Sequence, residues 1–248
     1  MTWRDTVHRF AARAGLVVHR WPANRFDAMG DALTLLRRAD YRPATVIDCG
    51  ANRGQFAGLV TTVFPDATIH LIEPQPCYWP SLERLARERG TSHLYRVAVT
   101  EPGVARVRMH RGGSEGSTGA FVVAAGEPFA PDLEAEAATL DQLFGSAVER
   151  NERALLKLDI EGHELSALVG SVRLLEVVEV VLSEVRFFDI NRSGRPTFDD
   201  IGAFLAANGF QLYDFTTLRG RDRDKRLYLG DAIFVRRDSP LTADVGWK

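Results

Sequence analysis

From Thr45 onward, short β-branched runs alternate with stretches of helical periodicity, and this alternation restricts the fold more than any other feature. "TVIDCG" reads as a strand. "QFAGLVTTVF" reads as a helix with Phe56, Leu59, Val60 and Val63 on one side, and "ATIHLIEP" as a second strand stopped by Pro74. "WPSLERLARERG" has Pro80 near its start and Gly90 just past its end, which marks a helix. "SHLYRVAV" is a third strand, and "ALLKLDI" is an apolar run suited to a buried parallel strand. A helix from Leu165 to Glu176, the strand "VEVVLSEV", a helix around "FDDIGAFLAANGF" and the strands "FQLYDF" and "DAIFVRR" follow. Strands alternating with helices predict an α/β, doubly wound, mostly parallel sheet covered on both faces. The arginine-rich link "TTLRGRDRDKRLYLG" has no helical pattern, so the last two strands are expected to form an antiparallel hairpin.

Two stretches interrupt the alternation. In "EPGVARVRMHRGGSEGSTGAF", Val104, Arg106, Arg108 and His110 alternate with other residues, as in a hairpin or edge strand. Glycines 112, 113, 116 and 119 then make a loop, followed by an acidic spacer and "ATLDQLF". At the start of the chain, Trp3, Val7, Phe10, Ala11, Ala14 and Val18 recur at helical spacing among Arg4, Arg9, Arg13 and Arg20. This is a basic amphipathic helix. Its apolar face is expected to dock on the domain; a lid or membrane-surface contact is the alternative. The boundary falls near Pro43, with residues 1–43 as an N-terminal helical extension and 44–248 as the α/β body.

Composition narrows the class of protein. A net charge of -2 provides no drive toward nucleic acid. Only Cys49 and Cys77 are present, so neither a disulfide framework nor metal-site spacing is on offer, and a cytoplasmic setting is expected. The longest apolar candidate, "LLEVVEVVLSEV", is broken by Glu176, Glu179 and Glu184, and the first residues lack the features of a signal peptide.

The chemistry is expected beyond the carboxyl ends of the strands, where open parallel sheets bind ligands. "VIDCGANRGQF" passes from a strand ending at Asp48 through Gly50, Ala51, Asn52 and Gly54 into a helix. Glycines at such a turn let a ligand approach the backbone. Glu73 ends the second strand nineteen residues past Gly54, near the spacing at which an acid takes ribose hydroxyls. A dinucleotide needs G-x-G-x-x-G, but Asn52 replaces the middle glycine, and Asp48 would repel a pyrophosphate. A ligand carrying an ammonium and a sulfonium, such as S-adenosylmethionine, suits an acid there.

Together, "VIDCGANRGQF", "IEPQP", "YRVAV", "TLDQL", "LLKLDIEGHELSALVG" and "VLSEV" resemble the FkbM family of class I S-adenosylmethionine-dependent methyltransferases. They occur in the family's order over roughly Thr45 to Val185, and the D-x-E-G-x-E stretch is the most specific. The resemblance implies a Rossmann-like, seven-stranded sheet with its last strand antiparallel. It also implies O-methylation of a hydroxyl on a sugar- or polyketide-type acceptor, such as a glycolipid or glycosylated natural product. Carried over by position, Asp48, Gly50, Ala51, Asn52 and Gly54 hold the methionine portion. Glu73 and Pro74 take the ribose, Val97 and Ala98 flank the adenine, and Asp159 lies close to the reacting methyl. One departure is Trp79–Pro80, standing where an asparagine is expected.

"KLDIEGHELSALVG" supplies the catalytic candidates Asp159, Glu161 and His163. A sugar hydroxyl needs a base to receive its proton, and neutral His163, with Glu161 or Asp159 stabilising its imidazolium, or Asp159 itself offers one. The plain alternative is that Glu161 and Glu164 favour a helix start, with His163 solvated. Asp159, Glu161 and Glu184 could instead present oxygens to magnesium, although Glu184 could equally pair with Arg186. Ser117 and Thr118 on the glycine loop, and Arg186, Phe187 and Phe188 past the fifth strand, are candidates to line the acceptor pocket. The competing functions are an NAD(P)-dependent oxidoreductase and a non-catalytic cofactor-binding module. The acceptor could be lipid-linked and the protein a homo-oligomer.

Overall fold

The structure is a computed structural model that describes residues 25–113, 119–123, 127–145, 153–190, 194–244 and 246. The amphipathic stretch expected at the start of the chain, and Ser117 and Thr118, lie outside these residues. The description begins with helix α1 (Arg25–Arg38), which buries Met29, Leu33 and Leu36 on one face. Seven strands then form the main sheet: β1 (Thr45–Cys49), β2 (Thr68–Ile72), β3 (Ser92–Tyr95), β8 (Ala154–Leu158), β9 (Val178–Arg186), β10 (Phe210–Gly220) and β11 (Leu227–Arg236). Their order is β10-β11-β9-β8-β1-β2-β3, and β11 runs antiparallel to both its neighbours. This is the mostly parallel, doubly wound architecture that the alternation implied.

Side chains alternate across the strands, so successive residues serve opposite cores. Val46, Leu155 and Val180 face one layer with Leu36, Phe56 and Val60, the last two from helix α2 (Gln55–Val63), and with Leu82 from helix α3 (Trp79–Arg89). Ile47, Leu156 and Val181 face the other. There they meet Phe144 from α4 (Leu140–Phe144), Leu168 from α5 (Glu164–Val169) and Leu205 from α6 (Phe198–Ala207). Every residue of β1 and β8 is buried, as a central parallel strand requires.

Three sequence expectations change. "SHLYRVAV" is not one strand: β3 pairs with β2, whereas β4 (Ala98–Val99) leaves the sheet and pairs with β7 (Leu133–Ala138). The acidic spacer is that strand β7. With β5 (Arg106–His110) and β6 (Phe121–Val122) it forms a second sheet of order β4-β7-β5-β6, over a small core of Ala98, Val107, Met109, Ala120 and Ala135. Glutamates 134 and 136 point to solvent and obscured its alternation; both pair with Arg106. Finally, the helix expected from Leu165 to Glu176 stops at Val169.

Gly170 explains that stop. A Cβ there would lie 2.1 Å from the carbonyl oxygen of Thr100, and the Gly170 carbonyl accepts the Asp141 N–H at 2.9 Å. The helix end is thus pressed against the segments that lead into and out of the second sheet. Gly170→Ala should destabilise the protein by about 1–3 kcal/mol through overpacking, read as a lower urea midpoint at unchanged slope.

Candidate active site

The carboxyl ends of β1 and β8 meet at two tight turns. In the first, Gly50, Asn52 and Gly54 have φ of 78°, 50° and 85°, and the N–H groups of Gly50 and Ala51 both donate to the Ile72 carbonyl at 3.0 Å. In the second, Glu161 and Gly162 have φ of 56° and 92°. A Cβ on Gly50 would sit 2.1 Å from the Asp159 carbonyl oxygen, so the two turns are in backbone contact. Glu161 in the left-handed region is a strained choice for a side chain that glycine would fit more cheaply.

Lys157 lies beneath both turns, and sequence reasoning passed over it. It is 3% exposed, in the middle of the buried run "ALLKL". Its Nζ stands 2.9 Å from Asp48 Oδ1, 2.9 Å from the Gly50 carbonyl oxygen and 3.2 Å from that of Cys49. Three acceptors for three N–H donors make a satisfied ammonium. Burial pulls the Lys157 pKa down, but Asp48 and Asp159 outweigh it and the net direction is upward. The signal was a lone charge inside an otherwise apolar strand. Asp48 is fully buried against this lysine and lines neither cleft described below, so it does not present a free carboxylate at the mouth.

Glu164, not Glu161, is the acid that organises the second turn. Its buried carboxylate accepts the N–H groups of Ile160 and Gly162, each at 3.1 Å. Glu161 instead pairs with Arg186 at 3.2 Å, while its carbonyl accepts Arg195 Nη1 at 2.8 Å. Burial first, and Asp159 second, push the Glu161 carboxyl up to about 7, against the opposing pull of Arg186. His163 moves the other way, down to about 4, through burial and then Arg195. Its Nε2 lies 3.0 Å from Thr100 Oγ1.

A third group enters from outside the strand ends. Arg25, the first residue of α1, sets its guanidinium 3.5 Å from Asp159, 3.2 Å from Glu184 and in a short contact with Asp231. Glu184 is buried, and its carboxyl is pushed well above the usual range, by burial first and then by Asp159, Glu161 and Glu164. Oxygens of Asp159, Glu161 and Glu184 all lie within 4.8 Å of one another, so the sequence-predicted metal candidates do converge. Arg186, expected as the partner of Glu184, stands farther from it, at 3.9 Å, than Arg25 does.

Two clefts share this edge. One, of about 530 Å³, is lined by Glu73, Pro74, Gln75, Val97, Ala98 and Val99 on one side and by Asp159, Glu161 and His163 on the other. Met109, Ala120 and Val122 of the second sheet form its roof, a contribution invisible in the sequence. The other, of about 590 Å³, lies between Arg25, Phe26, Ala51, Gln55 and Lys157, and shares Gly50, Asn52, Asp159 and Glu161 with the first. Gly54 borders neither; a Cβ there would press on Leu85 at 2.9 Å. At the first cleft, Glu73 accepts the N–H groups of Asn52 at 2.8 Å and Gln75 at 2.9 Å, leaving lone pairs free on both oxygens. Trp79, at the position that departed from the family pattern, donates its indole N–H to the Glu73 carbonyl at 2.9 Å. The side-chain oxygens of Asn52 and Gln75 are buried without a hydrogen-bond partner, which is what a ligand bearing hydroxyl, amino or ammonium donors would satisfy. Phe187 packs with Phe198 and Phe215 as core, whereas Phe188 faces Tyr228.

Residues 48–212 match the family model described as "Methyltransferase FkbM domain", which covers well over half of the chain. No curated protein matches. Among solved structures, WbdD is similar at a TM-score of 0.50 and 16% identity, covering 90% of this chain and 42% of that one. The 1,6-didemethyltoxoflavin-N1-methyltransferase of Burkholderia thailandensis aligns at 0.45 and 17%, covering 85% and 79%. These likenesses concern the fold.

Removing the ammonium beneath the turns would strand Asp48 in the interior. Lys157→Met should therefore cost about 3–5 kcal/mol, measured by chemical denaturation at neutral pH.

Proposed function

The chain belongs to the FkbM methyltransferase family and is an S-adenosylmethionine-dependent methyltransferase, and from that premise we propose that it methylates a hydroxyl oxygen of a sugar, a glycolipid or a glycosylated natural product. The observation that carries this reading is Glu161. It is a carboxylate beside the cleft, held in a strained turn and raised to about 7. A neutral hydroxyl must lose its proton as it is methylated, and a group titrating near working pH receives it best. His163, lowered to about 4, is neutral but a weaker base, and its Nε2 is engaged by Thr100. Glu161 is then the proton acceptor, Asp159 accepts a hydrogen bond from a neighbouring hydroxyl of the acceptor and so orients it, and His163 supports the wall of the cleft.

The unsatisfied acceptors support a place for the donor in the first cleft. Glu73 would take the ribose hydroxyls with its remaining lone pairs. Val97 and Ala98 would cover the adenine, and Asn52 and Gln75 would offer their unpaired oxygens to ligand N–H or O–H groups. When bound, the donor supplies an electrophilic methyl group. Lys157 and Asp48 keep the Gly50–Gly54 turn in shape, and the second sheet excludes water above the cleft. With the family established, the oxidoreductase and non-catalytic alternatives are set aside.

A magnesium-assisted form of the same reaction is the second reading, favoured by the convergence of Asp159, Glu161 and Glu184. Arg25 already provides positive charge to Asp159 and Glu184, so an ion would have to displace it. We expect turnover to survive exhaustive chelation; loss restored by added magnesium would transfer the case to the metal.

Transfer of labelled methyl to glycan and glycolipid extracts tests the reaction class, and label found only on nitrogen or carbon sinks the hydroxyl reading. The deprotonated carboxylate is the active form, so kcat should climb as pH rises through about 7 and level off above it. Glu161→Gln should lower kcat by about 10²–10⁴-fold and abolish that climb, while binding of S-adenosylhomocysteine persists.

A further inference from the structure

The turn between β10 and β11 carries charge that methyl transfer does not use. Residues 219–226 hold Arg219, Arg221, Arg223, Lys225 and Arg226 against only Asp222 and Asp224. Asp224 is engaged by Arg221, 2.6 Å from its Nε, and by the Arg226 N–H at 3.1 Å, which together hold its carboxyl well below the usual range. Asp222 meets Lys225 at 3.8 Å, with both side chains largely in water. Among the described residues Arg223 and Arg226 have no ion-pair partner.

Arg221 and Arg226 are arranged, not merely exposed. Both guanidiniums stack on Phe188, with Cζ 5.1 Å and 4.1 Å from the ring centroid. The Arg221 N–H donates to the Arg226 carbonyl, and the Lys225 N–H to the Arg221 carbonyl, both at 2.9 Å, so the turn has fixed geometry. Stacking uses the faces of a guanidinium and leaves the N–H edge of Arg226 free for bidentate contact with a phosphate, whereas Arg221 gives Nε and Nη2 to Asp224 and keeps Nη1.

The turn also lies at the same edge of the main sheet as the clefts. Leu229 pairs with Arg186, the last residue of β9, and the Phe187 N–H donates to the Tyr228 carbonyl at 2.9 Å. Residues 221–226 therefore project past the carboxyl edge of the parallel strands, the edge that holds Asp159 and Glu161. Arg186 joins the two places, since it pairs with Glu161.

We propose that this turn binds a phosphate-bearing part of the acceptor, so that the sugar is methylated as a phosphate or diphosphate ester, with the open edge of Arg226 and the remaining Nη1 of Arg221 holding the phosphate oxygens. This rests on the hydroxyl-methylation reading above. A nucleotide-linked and a lipid-linked sugar share the required chemistry.

The full-length protein is titrated calorimetrically with inorganic pyrophosphate, uridine diphosphate and a detergent-solubilised polyprenyl diphosphate, and separately with S-adenosylhomocysteine. Saturable, salt-weakened diphosphate binding is expected, falling about ten- to a hundredfold in the Arg221→Gln/Arg226→Gln double variant. S-adenosylhomocysteine affinity should be unchanged, which reports that the variant is folded. The tighter of the two organic diphosphates identifies the carrier. No diphosphate binding, or equal affinity in the variant, overturns the proposal. So does sedimentation with phosphatidylglycerol vesicles that depends on both arginines while soluble diphosphates fail to bind, because the turn then meets a membrane surface. Diphosphate binding without S-adenosylhomocysteine binding would count against the donor site alone and leave the anion site standing.

Discussion

The buried ammonium of Lys157 is the contact on which the mouth of the sheet depends. It reaches Asp48 and the carbonyls of Cys49 and Gly50 from β8, so the last residues of β1 and the turn after them are fixed by a neighbouring strand and not by local sequence. Because the turn after β8 touches Gly50 through the Asp159 carbonyl, the geometries of the two turns are coupled at one backbone contact. An ammonium with three acceptors is tolerable in the interior; a carboxylate left without it is not.

That arrangement changes the electrostatic picture suggested by the sequence. A row of acids at the strand ends looks like an attraction for a cationic ligand. In the fold, Asp48 is matched by Lys157, Asp159 and Glu184 share Arg25, and Glu161 faces Arg186. Each of these acids has a cation beside it, but Asp159, Glu184 and Asp231 share the single Arg25, so carboxylates remain in excess and differ by environment. Glu164 is a structural clamp on two backbone N–H groups, whereas Glu161, a short way along the same turn, is left titratable near neutrality. Burial and partners, not residue type, separate the two roles.

The second sheet and the β10–β11 turn are both additions at that edge of the main sheet. The sheet contributes an apolar roof through Met109, Ala120 and Val122. The turn contributes stacked guanidiniums beyond the end of β9. A shared fold differs from one protein to the next chiefly through such additions at its functional edge. Arg25 belongs to the same class of addition, because it ties the helix preceding the sheet to Asp159, Glu184 and Asp231.

The sequence by itself determined the main sheet and the position of Asp159, Glu161, His163 and Glu184 at or just past its strand ends. Those follow from periods of two and 3.6, from punctuation by Gly and Pro, and from a motif that is contiguous along the chain. The tertiary structure alone decided how these residues are paired. Arg25 and Asp231 are 206 positions apart, and Lys157 and Gly50 are 107 apart, so no local pattern reports that they meet. It also decided that "SHLYRVAV" divides between two sheets, because the same alternation of side chains serves either hydrogen-bonding partner. Which carboxylate is compensated, clamped or left free to titrate depends on desolvation and on neighbours brought together by folding, and neither is a property of residue order.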